Sequence, residues 1–169
     1  METVRLRPLC YELGFNATRP EQWISRGYFK PSEIGVPGRA RQLTKRDAVM
    51  LLALVELVDA GFDASTIHRE VQNLTLYKQK TYLVISRGRL GFIIPPSERG
   101  APAPSEEDST RVTLPLGMFR SAVVPEEKLL ETITDDHKSV SVVISLDGLL
   151  DRVNTAWEKI SESSDNEKA

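Results

Sequence analysis

A chain of 169 residues with 40% hydrophobic side chains is long enough for one ordinary domain or two small ones, and it carries enough apolar material to build a core. Its single cysteine, Cys10, excludes a disulfide framework and any multi-thiolate metal site within one chain; its longest apolar run, Ala48 to Val55, is far too short to span a bilayer. The formal net charge of −2 hides a division, since residues 1–47 hold nine Lys/Arg against five acids, a local +4 that leaves −6 for the rest. A basic footprint at one end is what phosphate binding needs, while an acidic remainder keeps the other surfaces off a polyanion. With no signal-like segment at the N-terminus, a reducing, cytoplasmic setting is expected, with no membrane partner.

In chain order, Arg7-Pro8 opens a helix in which Pro8 sits in the first turn, Leu9 and Leu13 form an apolar i, i+4 pair, and Gly14 ends the run. Thr18-Arg19-Pro20-Glu21 reads as a capping box, with the Thr18 hydroxyl and the Glu21 carboxylate exchanging hydrogen bonds with each other's backbone N–H groups. The helix it starts is closed by Gly27 after about two turns, carrying Trp23 and Ile24 inward and Arg19, Gln22 and Arg26 outward. Two short helices joined by a Gly-containing turn are the outline of a helix-turn-helix, and a small helix with a cationic outer face suits a DNA groove. Tyr28 to Leu43 holds two prolines, two glycines and short extended pieces, with Arg39 and Arg41 alternating on one side, and reads as a β-hairpin wing.

Thr44-Lys45-Arg46-Asp47 resembles a second capping box, and the helix that follows, Ala48 to Ala60, is closed by Gly61. Its apolar residues cover more than the ~100° stripe of a surface helix, so it must be buried on two sides. One side would cover the helix-turn-helix core and the other the C-terminal half or a second subunit. Asp63 then N-caps a helix to Leu74 with Ile67, Val71 and Leu74 on one face.

The second half reads as a small α+β module. Thr81 to Ser86 and Leu90 to Ile94 form a hairpin around Arg87-Gly88-Arg89, and Pro95 to Ser109 is a Pro-, Ser- and acid-rich loop expected to be mobile. Arg111 to Leu116 alternates like a strand, Pro125 to Thr134 starts helically with acids in its first turn, and Val140 to Leu146 is the strongest strand. Asp147 caps a last helix whose Leu149, Leu150, Val153, Ala156, Trp157 and Ile160 follow the 3.6-residue period, before a polar tail from Ser161. The expected fold class is α+β, with a winged helix-turn-helix over residues 1–76 and the α+β module over 77–160.

Other chemistry is weakly represented. Asp135-Asp136-His137 are adjacent and cannot converge on a metal without distant partners, so they read as a solvated turn. His68 reads as a helix-surface or packing residue in preference to a catalyst, and Trp157 as core in preference to a ligand-pocket or dimer anchor. No nucleophile elbow, Gly-rich phosphate loop or paired-carboxylate spacing occurs, so no catalytic residue, metal or cofactor is expected.

Gly14, the W-x-x-R-G-x-x-x-P pattern of Trp23, Arg26, Gly27 and Pro31, Gly38-Arg39, Leu43-Thr44-x-x-Asp47 and Ala60-Gly61-Phe62 resemble, in order and spacing, the winged helix-turn-helix of the MerR family of bacterial transcription regulators. The resemblance covers residues 2–75. It implies a homodimer on palindromic double-stranded DNA, with Thr18, Arg19, Gln22 and Arg26 on a major-groove recognition helix and Lys30, Arg39 and Arg41 on a wing lying along the phosphates. It puts Trp23 where many members have a Tyr that packs and touches the backbone. Pro20 and Glu21 stand where members often carry Leu and Arg, no cysteines follow as in metal sensors, and after Leu74 the pattern turns to strand where the family has its dimer helix. The expected function is transcription regulation by sequence-specific DNA binding, with the C-terminal module used for dimerisation or for receiving a small-molecule or protein effector. An excisionase-like, DNA-bending accessory factor is the alternative, and a protein-interaction adaptor a third.

Overall fold

The structure is a computed structural model and describes residues 3–33, 40–72, 74, 80–88, 119–134 and 138–166. Among these it contains six helices and two small sheets, a mixed α and β architecture. Helices α1 (Leu6–Glu12), α2 (Thr18–Ser25) and α3 (Lys45–Asp59) all stop in the same way. Each is followed by a glycine at positive φ, Gly14 (83°), Gly27 (76°) and Gly61 (98°), and then by an aromatic residue. The N–H groups of Phe15, Tyr28 and Phe62 donate to the carbonyls of Cys10, Trp23 and Leu57 at 3.0, 2.8 and 3.0 Å, which is the Schellman pattern. The three aromatic rings turn back onto the core.

α3 begins with the capping box expected at Thr44: the Thr44 hydroxyl accepts from Asp47 N–H at 3.2 Å, and the Asp47 carboxylate accepts from Thr44 N–H at 3.0 Å. Residues 47–55 and Leu57 are all buried, as an apolar pattern wider than one stripe requires. α3 packs against both α4 (Ala64–Gln72) and α6 (Leu146–Asn166), so the C-terminal half supplies its second cover. Asp63 caps α4 by accepting from Ser65 N–H at 2.7 Å, and Ile67, Val71 and Leu74 are buried.

α2 starts differently from the expected box. Ala17 stands at the N-cap in αR geometry with no side-chain cap bond, and Asn16 Oδ1 accepts from Thr18 N–H at 2.8 Å. Asn16, two residues upstream, competes successfully for the first-turn donor in an Asx turn. The Glu21 carboxylate, freed from the box, takes a hydrogen bond from Arg7 Nε at 2.8 Å. The wing expected over Tyr28 to Leu43 is described only in part. Residues 34–39 lie outside the described set, and the strand before α3, β2 (Gln42–Leu43), pairs antiparallel with β1 (Val4–Arg5) at the other end of the segment.

In the second half, β3 (Thr81–Gly88) is the central strand, flanked antiparallel by β4 (Phe119–Pro125) and β5 (Lys138–Ser145). Leu83 and Ile85 face Val123, Val142 and Ile144 on the side that joins the core. Leu90 to Ile94 lies outside the described residues, and β4 and β5 occupy both edges of β3, leaving none for the hairpin partner expected there. Pro95 to Ser109, Arg111 to Leu116 and Asp135 to His137 also lie outside. α5 (Glu126–Ile133) follows Pro125 with Glu126 and Glu127 in its first turn, as expected.

The cap of α6 is Ser145, whose hydroxyl accepts from Gly148 N–H at 3.2 Å; Asp147, expected to cap, instead accepts from the backbone N–H of Lys80. α6 continues through Asn166, past the expected start of a polar tail at Ser161. A single hydrophobic cluster runs from Val4 through α3 to Leu83, Leu149, Val153 and Trp157, so a boundary near residue 76 separates no two cores. Among the described residues no helix is long and apolar enough to cross a membrane.

Candidate nucleic-acid interface

The eight residues expected to form the site stand at one end of the molecule's sequence, and α2 is its centre. Pro20 and Trp23, three apart, are buried, and Pro20 falls in the first turn, where a missing N–H breaks no helical bond. The opposite stripe, Thr18, Gln22, Ser25 and Arg26, is exposed at helical spacing. Among the described residues, the side chains of Gln22, Arg26 and Lys30 carry no hydrogen bond or ion pair.

Two of the expected residues are placed otherwise. Trp23 is 6% exposed: it packs, as the resemblance implies, but leaves almost no surface for a backbone contact. Arg19 is engaged, its Nη1 donating to Asp59 Oδ1 at 2.8 Å while its guanidinium lies 5.5 Å from the centre of the Trp23 ring. With its side chain 42% exposed, it projects along the end of α3 and not freely outward. Arg39 lies outside the described residues. Arg41 is exposed, and its carbonyl accepts from Leu6 N–H at 3.0 Å, which fixes the backbone that carries it.

Lys30 is positioned by a residue that sequence reasoning treats only as a helix cap. Asp47 is fully buried, and besides Thr44 its carboxylate accepts from Ser32 N–H at 3.0 Å and from the Ser32 hydroxyl at 2.6 Å. One carboxylate thereby ties the segment after α2 to the start of α3. The capping motif was the only local sign of it, because Ser32 lies fifteen residues away. Gln72 adds a second tie by donating to the carbonyl of Tyr28 at 2.9 Å, and His68 packs beside the Tyr28 ring at 5.1 Å.

Five of the nine basic residues among the first 47 fall into two groups. Lys45 Nζ lies 5.7 Å from the Trp157 ring centre and donates to Asn154 at 3.3 Å, while Arg46 Nε donates to the Leu74 carbonyl at 3.0 Å. These two hold α3 to α6 and to Leu74, two residues beyond α4. Arg5, Arg7 and Arg41 instead line, together with Glu21, Leu6, Pro8 and Ala40, an open depression of about 670 Å³ beside α2. The hydrogen bond from Arg7, with a smaller contribution from the Arg41 charge, holds the Glu21 carboxyl below the usual carboxylate range. The same pairing raises the Arg7 guanidinium above its ordinary value.

Beneath this surface Cys10 is buried, and desolvation pushes its thiol up to about 12. A thiol held protonated is a packing group and a poor nucleophile. Among the described residues, no group of three or more His, Cys, Asp or Glu side chains is arranged to hold a metal ion. No family model matches the chain, and the curated proteins searched for similarity contain no match to it.

Proposed function

We propose that the protein is a sequence-specific DNA-binding regulator of transcription in which α2 enters the major groove and Lys30 and Arg41 meet flanking phosphates. The observation that carries this reading is the α2 surface itself. Its exposed stripe offers an amide, a hydroxyl and a guanidinium, Gln22, Thr18 and Arg26, on a helix anchored to the core by Trp23. The neighbouring acid, Glu21, is paired by Arg7. Gln and Arg read adenine and guanine edges by paired hydrogen bonds, and a rigid backing helps hold them in register.

Arg19 has a revised part in this reading: Asp59 orients it, and a base contact would require exchanging that partner. A homodimer on a palindromic site is part of the proposal. It is supported by α5, which has no buried residue and leaves Leu130 70% exposed. The test is a set of titrations of wild type, Gln22→Ala and Lys30→Ala against a selected site and a scrambled duplex. Gln22→Ala should lose about 1 to 3 kcal/mol on the selected site alone, and Lys30→Ala should weaken both duplexes alike. Equal losses for Gln22→Ala on both would remove α2 from base reading, and cooperative coating of any duplex would favour a DNA-bending accessory factor.

A further inference from the structure

The depression beside α2 has a composition that DNA reading by α2 alone does not use. Its lining offers three guanidinium groups to one carboxylate, and among the described residues neither Arg5 nor Arg41 makes an ion pair. Two of its walls are fixed by backbone: Arg5 pairs with Gln42 in the β1–β2 ladder, and the Arg41 carbonyl is bonded by Leu6 N–H. The third arginine is movable, since Arg7 is 78% exposed and meets Glu21 through a single Nε contact at 2.8 Å. Further along α1, Tyr11 is 81% exposed and four residues from Arg7, so its phenol extends the same helix face with a neutral donor.

We infer that Arg5, Arg7 and Arg41 form a phosphate seat, in which Glu21 holds Arg7 in the empty state and yields it to the incoming phosphate. The phosphate is a backbone phosphodiester when duplex DNA docks on α2, and for that source the inference rests on the proposed function. Arginine suits the task because its planar fork meets phosphate oxygens in pairs. Exchange of a carboxylate for a phosphodiester on Arg7 leaves Glu21 near Arg41, so the seat retains a negative group that limits binding of stray anions. Removing that group should tighten phosphate binding.

The test uses the full chain and two readouts. Duplex DNA is titrated over a range of salt concentrations, and inorganic phosphate is titrated by calorimetry at constant ionic strength. The proteins are wild type, the double variant Arg5→Ala/Arg41→Ala, and Glu21→Gln. The double variant should lose phosphate binding and lower the log–log salt slope for DNA by roughly 1.8, two contacts at about 0.9 each, and Glu21→Gln should tighten DNA binding a few-fold. Melting curves check that both variants fold. DNA binding by wild type with an unchanged slope in the double variant would overturn the seat while leaving α2 as a DNA reader. Arginine-dependent phosphate binding without DNA binding would uphold the seat, make a small phosphorylated ligand its source, and remove the DNA reading. Binding of neither would overturn the inference.

Discussion

Replacing Asp47 by Asn keeps the side chain's shape and removes its charge at a position with no exposure to solvent. The carboxylate accepts from three donors, Ser32 N–H at 3.0 Å, the Ser32 hydroxyl at 2.6 Å and Thr44 N–H at 3.0 Å. An amide has one acceptor oxygen, so its NH₂ must face either the Ser32 pair or Thr44, setting donor against donor. Losing one or two charge-assisted bonds at about 1.5 to 3 kcal/mol each, softened by local relaxation, gives a destabilisation of about 2 to 4 kcal/mol. For a chain of this size that lowers Tm by roughly 5 to 15 °C. Thermal melts followed by circular dichroism read the global effect, and hydrogen exchange at Ser32 and Thr44 reads the local one. The Ser32→Ala variant, which removes one donor and leaves the other two, should cost about 1.5 to 3 kcal/mol. A Tm for Asp47→Asn within a degree or two of wild type, with exchange at Ser32 unchanged, would refute the claim that this carboxylate ties the Lys30 segment to α3.

Three other outcomes are expected. Trp23→Ala empties a core position under α2 and should cost about 3 to 5 kcal/mol, measured by denaturant unfolding; an unchanged midpoint would place the indole on the surface. Leu130→Glu, on the exposed face of α5, should convert a dimer to monomer in analytical ultracentrifugation without lowering the monomer's Tm, and a persisting dimer would move the interface elsewhere. The Cys10 thiol ionises less readily folded than unfolded, so its stabilising contribution is intact below a pH of about 8.5 and is lost as pH rises toward 12. Urea melts across the alkaline range should show that decline in wild type and a shallower one in Cys10→Ala; parallel curves would mean that the thiol is not desolvated.

Much of the N-terminal half is legible because its signals are local. Glycine before an aromatic residue at Gly14, Gly27 and Gly61 names three helix ends, and Thr44 with Asp47 names a start. The period of α6 and the two-sided burial of α3 follow from side-chain spacing alone. The misses arise where two local options compete or a partner is distant. Thr18 has the residues of a capping box, but Asn16 reaches the same donor and Arg7 claims Glu21. Ser145 and Asp147 are both capping types, and Lys80, 67 residues away, decides between them by taking Asp147.

β4 carries its polar and apolar residues without a clean alternation, because it is half-buried along much of its length. β1 and β2 are two residues each and exist only as a pair, so neither has a pattern to read. For the candidate site, the exposed face of α2 was legible from helical spacing, whereas the Arg19 partner Asp59 and the grouping of Arg5, Arg7 and Arg41 depend on contacts made only in the folded chain.

The central claim, that the α2 end of the molecule binds duplex DNA through a local basic surface, is tested most directly by the salt dependence of binding. Fluorescence anisotropy of a labelled duplex, titrated with the full chain at several potassium chloride concentrations, gives the log–log slope. Arg5, Lys30 and Arg41 are exposed and available for phosphates, so the slope should be roughly −2.7 per protomer, about −0.9 for each contact. A slope near zero, or no binding at the lowest salt concentration, would contradict the account.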